Sequence, residues 1–198
     1  MKKLLIAALA LFALTKTNAQ SFMHGAGTGL SVVTMKNGDP SAYGTLLYSP
    51  RLTVMETETS SITVGIPLTL GLAGSYSYDN YYGESSDIQY LVNAPLMVNL
   101  NIGAGSSPIT EDRFGFFIGG GFGINYGNYL VDDVIIVDGF EYYDQVSKNV
   151  TTYGPAANAG VRIGVGRQTK NIEILLSYMK GINETKPNTF GLACLFNF

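Results

Sequence analysis

FGFFIGGGFGINYG, Phe114 to Gly127, places six glycines and four phenylalanines in fourteen residues. Such a run fits a glycine-rich phosphate loop, a membrane-spanning helix, or a pleated strand with one bulky face and one bare face. Parity separates them. The even positions are Phe114, Phe116, Ile118, Gly120, Phe122, Ile124 and Tyr126, and the odd ones Gly115, Phe117, Gly119, Gly121, Gly123, Asn125 and Gly127. A period of two is what a strand produces and a helix would scramble. A phosphate loop also needs a helix opening directly after its glycines, whereas Asn125-Tyr126-Gly127-Asn128-Tyr129 is a poor helix start and holds no lysine.

The same alternation recurs outward from this stretch in both directions. From Ser61 to Tyr78 the even face carries Ile62, Val64, Ile66, Leu68, Leu70 and Leu72, opposite Ser, Thr, Gly and Ala. From Ile88 to Gly103 the even face is apolar or aromatic, and the odd face carries Gln89, Asn93, Asn99 and Asn101. From Tyr153 to Arg167, Ala157, Ala159, Val161, Ile163 and Val165 oppose Asn158, Arg162 and glycines. Weaker versions cover Phe22 to Met35, Tyr43 to Glu56, Ile172 to Lys180 and Phe190 to Phe198. Eight antiparallel strands are expected.

These strands are longer than the five or six residues usual in soluble proteins, and their apolar faces stay apolar throughout. A soluble barrel is apolar inside and polar outside. Here the second face is Asn, Arg, Ser and Gly, which suits a narrow lumen, and the continuous Ile, Leu, Val and Phe face suits lipid. The expected fold is therefore all-β, an eight-stranded up-and-down transmembrane barrel. Closure is required, because an open sheet edge in hydrocarbon leaves unpaired backbone groups costing several kcal/mol each. The connections alternate in length, with Thr57–Ser60 and Gln168–Asn171 short and Leu130–Thr152 long. Short periplasmic turns and long outer loops then place both termini in the periplasm. Tyr76, Tyr78, Tyr90, Tyr126 and Tyr153 fall at the expected outer ends, and Phe22, Phe114, Phe116, Phe196 and Phe198 at the inner ends, as two aromatic girdles.

The N-terminus, MKKLLIAALALFALTKTNAQ, has Lys2 and Lys3, eleven apolar residues from Leu4 to Leu14, and Thr17-Asn18-Ala19. That layout is a cleavable secretory signal over residues 1–19, leaving 20–198 as one barrel domain. The chain is 46 % apolar, and past residue 19 it has nine basic against fifteen acidic side chains, which argues against a nucleic-acid partner. One cysteine, Cys194, excludes a disulfide framework.

The signal, YLVNAPLMVNLNIG (Tyr90 to Gly103) followed by RFGFFIGGGFGINY (Arg113 to Tyr126), and the final FGLACLFNF together resemble the small Gram-negative outer-membrane β-barrel proteins. The Bacteroidetes-type family is the nearest likeness, with a more distant one to the OmpX, OmpA and OmpW types. The resemblance covers the whole mature chain and implies a fold, outer-membrane lipid as surroundings, and the barrel-assembly machinery as a partner during biogenesis. In that family a last strand of alternating apolar residues ending in an aromatic is the assembly signal. Leu192, Cys194, Phe196 and Phe198 match it, with Cys194 where a larger apolar residue is usual.

Eight strands enclose an interior just wide enough for side chains. Arg51, Arg162 and Glu173 share the lumenal parity, so a salt-bridge cluster inside a sealed lumen is expected, with a proton or ion path as its alternative. No cofactor, metal site or catalytic constellation is indicated. His24 is the only histidine, it lies at lipid parity, and no nucleophile or acid stands at readable spacing from it. The outer loops hold ten carboxylates, among them Asp132, Asp133, Asp138 and Glu141, against Lys36, Lys148 and Lys186. Within the longest, Asp138-Gly139 is flanked by Val134 to Val137 and Phe140 to Tyr143, a hairpin signal. If a protein partner binds the outer loops, the candidate surface is Asp132, Asp133, Val134, Ile136, Asp138, Gly139, Phe140, Tyr142 and Tyr143, supported by the Asp79–Gly83 loop. The functional expectation is a non-enzymatic outer-membrane protein with a structural or surface-interaction role. The alternative is a transporter or narrow channel for a small molecule or ion.

Overall fold

The computed structural model describes residues 21–198 except 36–37, 80–82, 138–139, 166–169 and 184–185, and for 38–39, 75–79, 83–87, 130–137 and 140–147 it describes the backbone alone. The described residues form nine strands: β1 (Phe22–Met35), β2 (Gly38–Glu56), β3 (Ser60–Gly65), β4 (Leu68–Asp79), β5 (Gly83–Gly103), β6 (Phe114–Val137), β7 (Phe140–Gly164), β8 (Asn171–Lys180) and β9 (Asn188–Asn197). Every pairing is antiparallel, and β1 pairs with both β2 and β9, so the sheet closes on itself.

β3 and β4 fill one position between β2 and β5, so nine strands make eight staves. The single strand expected over Ser61–Tyr78 is thus broken, at Ile66-Pro67. Pro67 has no N–H to give the ladder. Two further prolines, Pro50 on β2 and Pro95 on β5, lie on the flanking staves where pairing lapses: β2 leaves β3 at Arg51 and meets β4 at Tyr48, and β5 leaves β3 at Met97 and meets β4 at Asn93. One bond bridges the gap, Ile66 N–H to Pro50 O at 3.2 Å.

Strand ends also depart from expectation. The expected strands Phe22 to Met35 and Tyr43 to Glu56 leave residues 36–42 between them, yet Met35 already pairs with Gly38. β6 and β7 continue through most of the expected Leu130–Thr152 loop, in one unbroken register from Phe114↔Ile163 to Val137↔Phe140. The result is a ribbon that runs ten positions past the last β5–β6 pair, and β4 and β5 likewise stay paired past it to Asp79↔Gly83.

Parity holds around the ring. Even positions of β4, β5 and β6 point outward, with Leu72 66 %, Ile118 63 % and Leu100 46 % exposed, while Asn101 and Asn125 on the other face are 0 % and 1 % exposed. The odd-numbered glycines of the opening stretch face the lumen, where they make room for larger neighbours. A Cβ on Gly119 would strike Asn99 Oδ1, one on Gly160 would sit 2.6 Å from the Phe117 ring, and one on Gly123 would sit 3.1 Å from Met179 Sδ. The bare face of β6 is thus the complement of Asn99, Met97 and Met179, as Gly160 of β7 is of Phe117, and together they let side chains fill a narrow barrel.

Candidate functional site

The lumen is packed in layers, and the layer nearest the chain termini is ionic. Arg51 on β2, Arg162 on β7 and Glu173 on β8 are 3 %, 2 % and 2 % exposed. Arg162 and Glu173 are register partners, which places the two side chains abreast on the inward face. Glu173 Oε2 accepts Arg51 Nη1–H at 2.7 Å, Arg162 Nε–H at 2.8 Å and Asn197 Nδ2–H at 3.0 Å. Asn197 also accepts from Arg51 Nη2 and donates to Asn171 Oδ1. Arg162 further donates Nη1–H to Gly105 O at 3.3 Å, and its guanidinium lies 4.5 Å from the Phe117 ring centroid.

Gly105 belongs to the segment after β5 that turns back under the barrel floor, where Ala104, Ser106 and Ser107 are also buried. Its φ of +70° suits glycine, and a Cβ there would strike Asn171 Nδ2. Two guanidinium groups and one carboxylate leave this layer with one net positive charge. That makes Glu173 the group on which both arginines depend.

Above the ionic layer Leu47, Phe117, Leu175, Ala193 and Leu195 form an apolar plug. Next comes a cavity of ≈ 30 Å³ between Thr45, Thr69, Asn93 and Asn158, room for one or a few waters. A third layer lies toward the far end. There Tyr43 and Tyr129 meet edge to face at 6.5 Å, packed with Val33 and Leu91. Tyr43 Oη donates to Gln89 Oε1 at 3.2 Å, Tyr129 Oη to Asn125 Oδ1 at 2.6 Å, and Asn125 Nδ2 to Thr189 Oγ1 at 3.2 Å.

Sequence reasoning named the three charged residues of the floor but neither the tyrosine layer nor the partners of the floor. Asn197 is one of those partners, bridging Arg51, Asn171 and Glu173. Tyr43 and Tyr129 share inward parity with Arg51 and Asn125, and that parity was the available signal.

On the outer face, Leu192, Cys194, Phe196 and Phe198 all point away from the lumen, and Cys194 is an exposed free thiol. The end with the termini carries Phe22, His24, Phe196 and Phe198: His24 lies 4.4 Å from Phe22 and 5.9 Å from Phe198 between ring centroids, and its Nδ1 is 2.6 Å from Tyr48 Oη. The opposite end carries Tyr90 and Tyr126, their rings 5.8 Å apart, with Tyr90 Oη donating to Asn149 Oδ1 at 3.0 Å. The side chains of Tyr76 and Tyr78 lie outside the described residues.

In the projecting ribbon the backbone pairs Asp132↔Gln145, Asp133↔Asp144, Val134↔Tyr143, Ile135↔Tyr142, Ile136↔Glu141 and Val137↔Phe140. The side chains of Asp132, Asp133, Val134, Ile136, Phe140, Tyr142 and Tyr143, the turn Asp138-Gly139, and residues 80–82 of the expected supporting loop lie outside the described residues.

No protein-family model and no curated protein matches the sequence. Among solved structures, the attachment invasion locus protein Ail of Yersinia pestis, crystallised with the heparin analogue sucrose octasulfate, is similar at 12 % identity with a TM-score of 0.51, covering 90 % of this chain and 99 % of that one. The N-terminal β-barrel domain of Pseudomonas aeruginosa OprF is similar at 14 % identity with a TM-score of 0.43, covering 90 % and 98 %. The chain has the fold of the small outer-membrane β-barrels.

Proposed function

We propose that this chain is a non-enzymatic integral outer-membrane protein with both termini in the periplasm, whose barrel is a sealed structural scaffold that presents the β6–β7 ribbon at the cell surface. The observation that carries this reading is the pairing of a closed ring with an outward apolar band and a polar, filled lumen. In water such a band would be unfavourable around the whole circumference; in a bilayer it is the required surface. The stacked ionic, apolar and tyrosine layers support a scaffold over a conduit.

Purified chain inserted in a planar bilayer should show no steady conductance, and in cells it should fractionate with the outer membrane and need detergent for extraction. Steady single-channel currents would favour the transporter reading, and recovery as a detergent-free monomer would remove the membrane reading.

The ribbon is the proposed interaction surface, and Leu192, Cys194, Phe196 and Phe198 are the proposed recognition signal for the assembly machinery. Removing Val134–Tyr143 should leave a folded, heat-modifiable barrel while removing any surface binding. Replacing Phe198 with Asp should lower the yield of folded barrel well below that of a Leu96→Phe control, a change on the outward face away from that signal.

A further inference from the structure

The outward band is not uniformly convex. Across β6 to β9 and onto β1 it holds a groove of ≈ 710 Å³, floored by Ala157 and Ala159 and walled by Ile118, Leu176, Phe190 and Leu192. Its volume falls within the range of about 300–1,000 Å³ typical of ligand sites. The floor is low because Gly120 and Ala157, register partners on β6 and β7, are both small, and Ala159 follows on the same outward face between the larger Ile118 and Leu176. A Cβ on Gly120 would meet nothing closer than a backbone oxygen at 4.0 Å.

The end of the groove farther from the chain termini is amphipathic. Tyr178 closes it, with its ring 4.9 Å from Phe190 and its hydroxyl donating to Asn188 Oδ1 at 2.9 Å. Two residues farther along the outward face of β8 stands exposed Lys180, whose register partner is Asn188, and Lys186 is exposed in the turn just before β9. An apolar slot therefore runs toward an aromatic and amide rim topped by positive charge.

We infer that this groove is a binding site for one anionic, phosphate-bearing lipid, its acyl chain along Ala157 and Ala159 and its phosphate at Lys180. The inference rests on the membrane reading above, because only there does the groove face hydrocarbon. The charge at the rim selects the occupant. A lipid with an acidic head meets both ends of the groove.

The test uses the full mature chain, folded in detergent and released from micelles into a native mass spectrometer with phosphatidylglycerol or phosphatidylcholine of the same acyl chains. The wild type should retain one lipid and prefer phosphatidylglycerol. The Ala157→Leu/Ala159→Leu variant, which fills the floor from outside the barrel, should lose retention of both lipids at least tenfold. Lys180→Gln should keep the bound chain but lose the preference for phosphatidylglycerol.

Heat-modifiable mobility of each variant confirms that the barrel has folded. Undiminished retention in the filled variant, an unchanged headgroup preference in Lys180→Gln, or pairs of chains in place of bound lipid would overturn the site while leaving the membrane reading intact. A chain that stays monomeric without detergent would instead remove the membrane reading itself.

Discussion

Leu46 and Leu47 are chemically identical neighbours on β2, yet Leu46 is 67 % exposed and Leu47 is 8 % exposed; on β8, Leu175 and Leu176 are 4 % and 58 % exposed. One member of each pair faces outward, where any apolar side chain of any shape suffices. The other faces a lumen in which Phe117, Ala193 and Leu195 fix its shape and volume. The outer face is thus specified by composition and the inner face by complementarity. Substitutions should therefore be tolerated outside whenever they stay apolar, and inside only when they keep volume and hydrogen bonding.

The largest effect expected from breaking that contrast is on the inside, at Glu173. Removing this carboxylate leaves Arg51 and Arg162 buried together without an anion, and breaking a buried pair typically costs about 3–5 kcal/mol. Glu173→Ala should shift the urea midpoint of the folded barrel in detergent or lipid by that amount, and a loss under about 1 kcal/mol would show that the floor is not held by the ion pairs. Outside, the comparable change is a charge in mid-band. Leu96→Arg should cost about 2–4 kcal/mol in a bilayer, while Leu96→Phe should be near neutral. Equal tolerance of both would mean that the outward face does not meet hydrocarbon.

The sharpest contrast at the smallest expected cost lies in adjacent glycines. A Cβ on Gly121 would press on the Leu96 backbone and come 2.9 Å from Met97 Sδ, whereas one on Gly120 has open space. Gly121→Val should therefore cost about 1–3 kcal/mol, the usual range for overpacking, and Gly120→Val should be neutral or slightly stabilising. The reverse order, measured by the same unfolding midpoint, would invert the parity on which the fold rests.

Much of this architecture was legible because a period-two pattern needs only local sequence, and it runs unbroken through Phe114–Tyr126 and Ile88–Ile102. Where the pattern failed to report, the cause was specific. Ile66 and Leu68 keep the same parity across the break, so alternation alone hides it, and the warning was Pro67 inside a strand facing Pro50 and Pro95 on neighbouring staves. The β6–β7 ribbon was read as a long loop with a hairpin at its tip. Yet counting outward from the Asp138-Gly139 hairpin signal without a bulge gives the register of the whole pair to Phe114↔Ile163. The floor of the lumen was legible as charge on one parity. Its hydrogen-bonding partners were not, because Asn197 and Gly105 reach Arg51 and Arg162 only through ring closure and a returning turn.

The claim that one face of every stave meets lipid and the other a closed interior is tested most directly on native leucines. In methyl-labelled protein within nanodiscs, a nitroxide carried on the lipid acyl chains should broaden Leu46, Leu72, Leu96, Leu100 and Leu176 and leave Leu47, Leu91, Leu175 and Leu195 sharp, while a water-soluble paramagnetic chelate should broaden neither set. Broadening of the inward leucines by the lipid nitroxide, or of the outward ones by the chelate, would contradict the account.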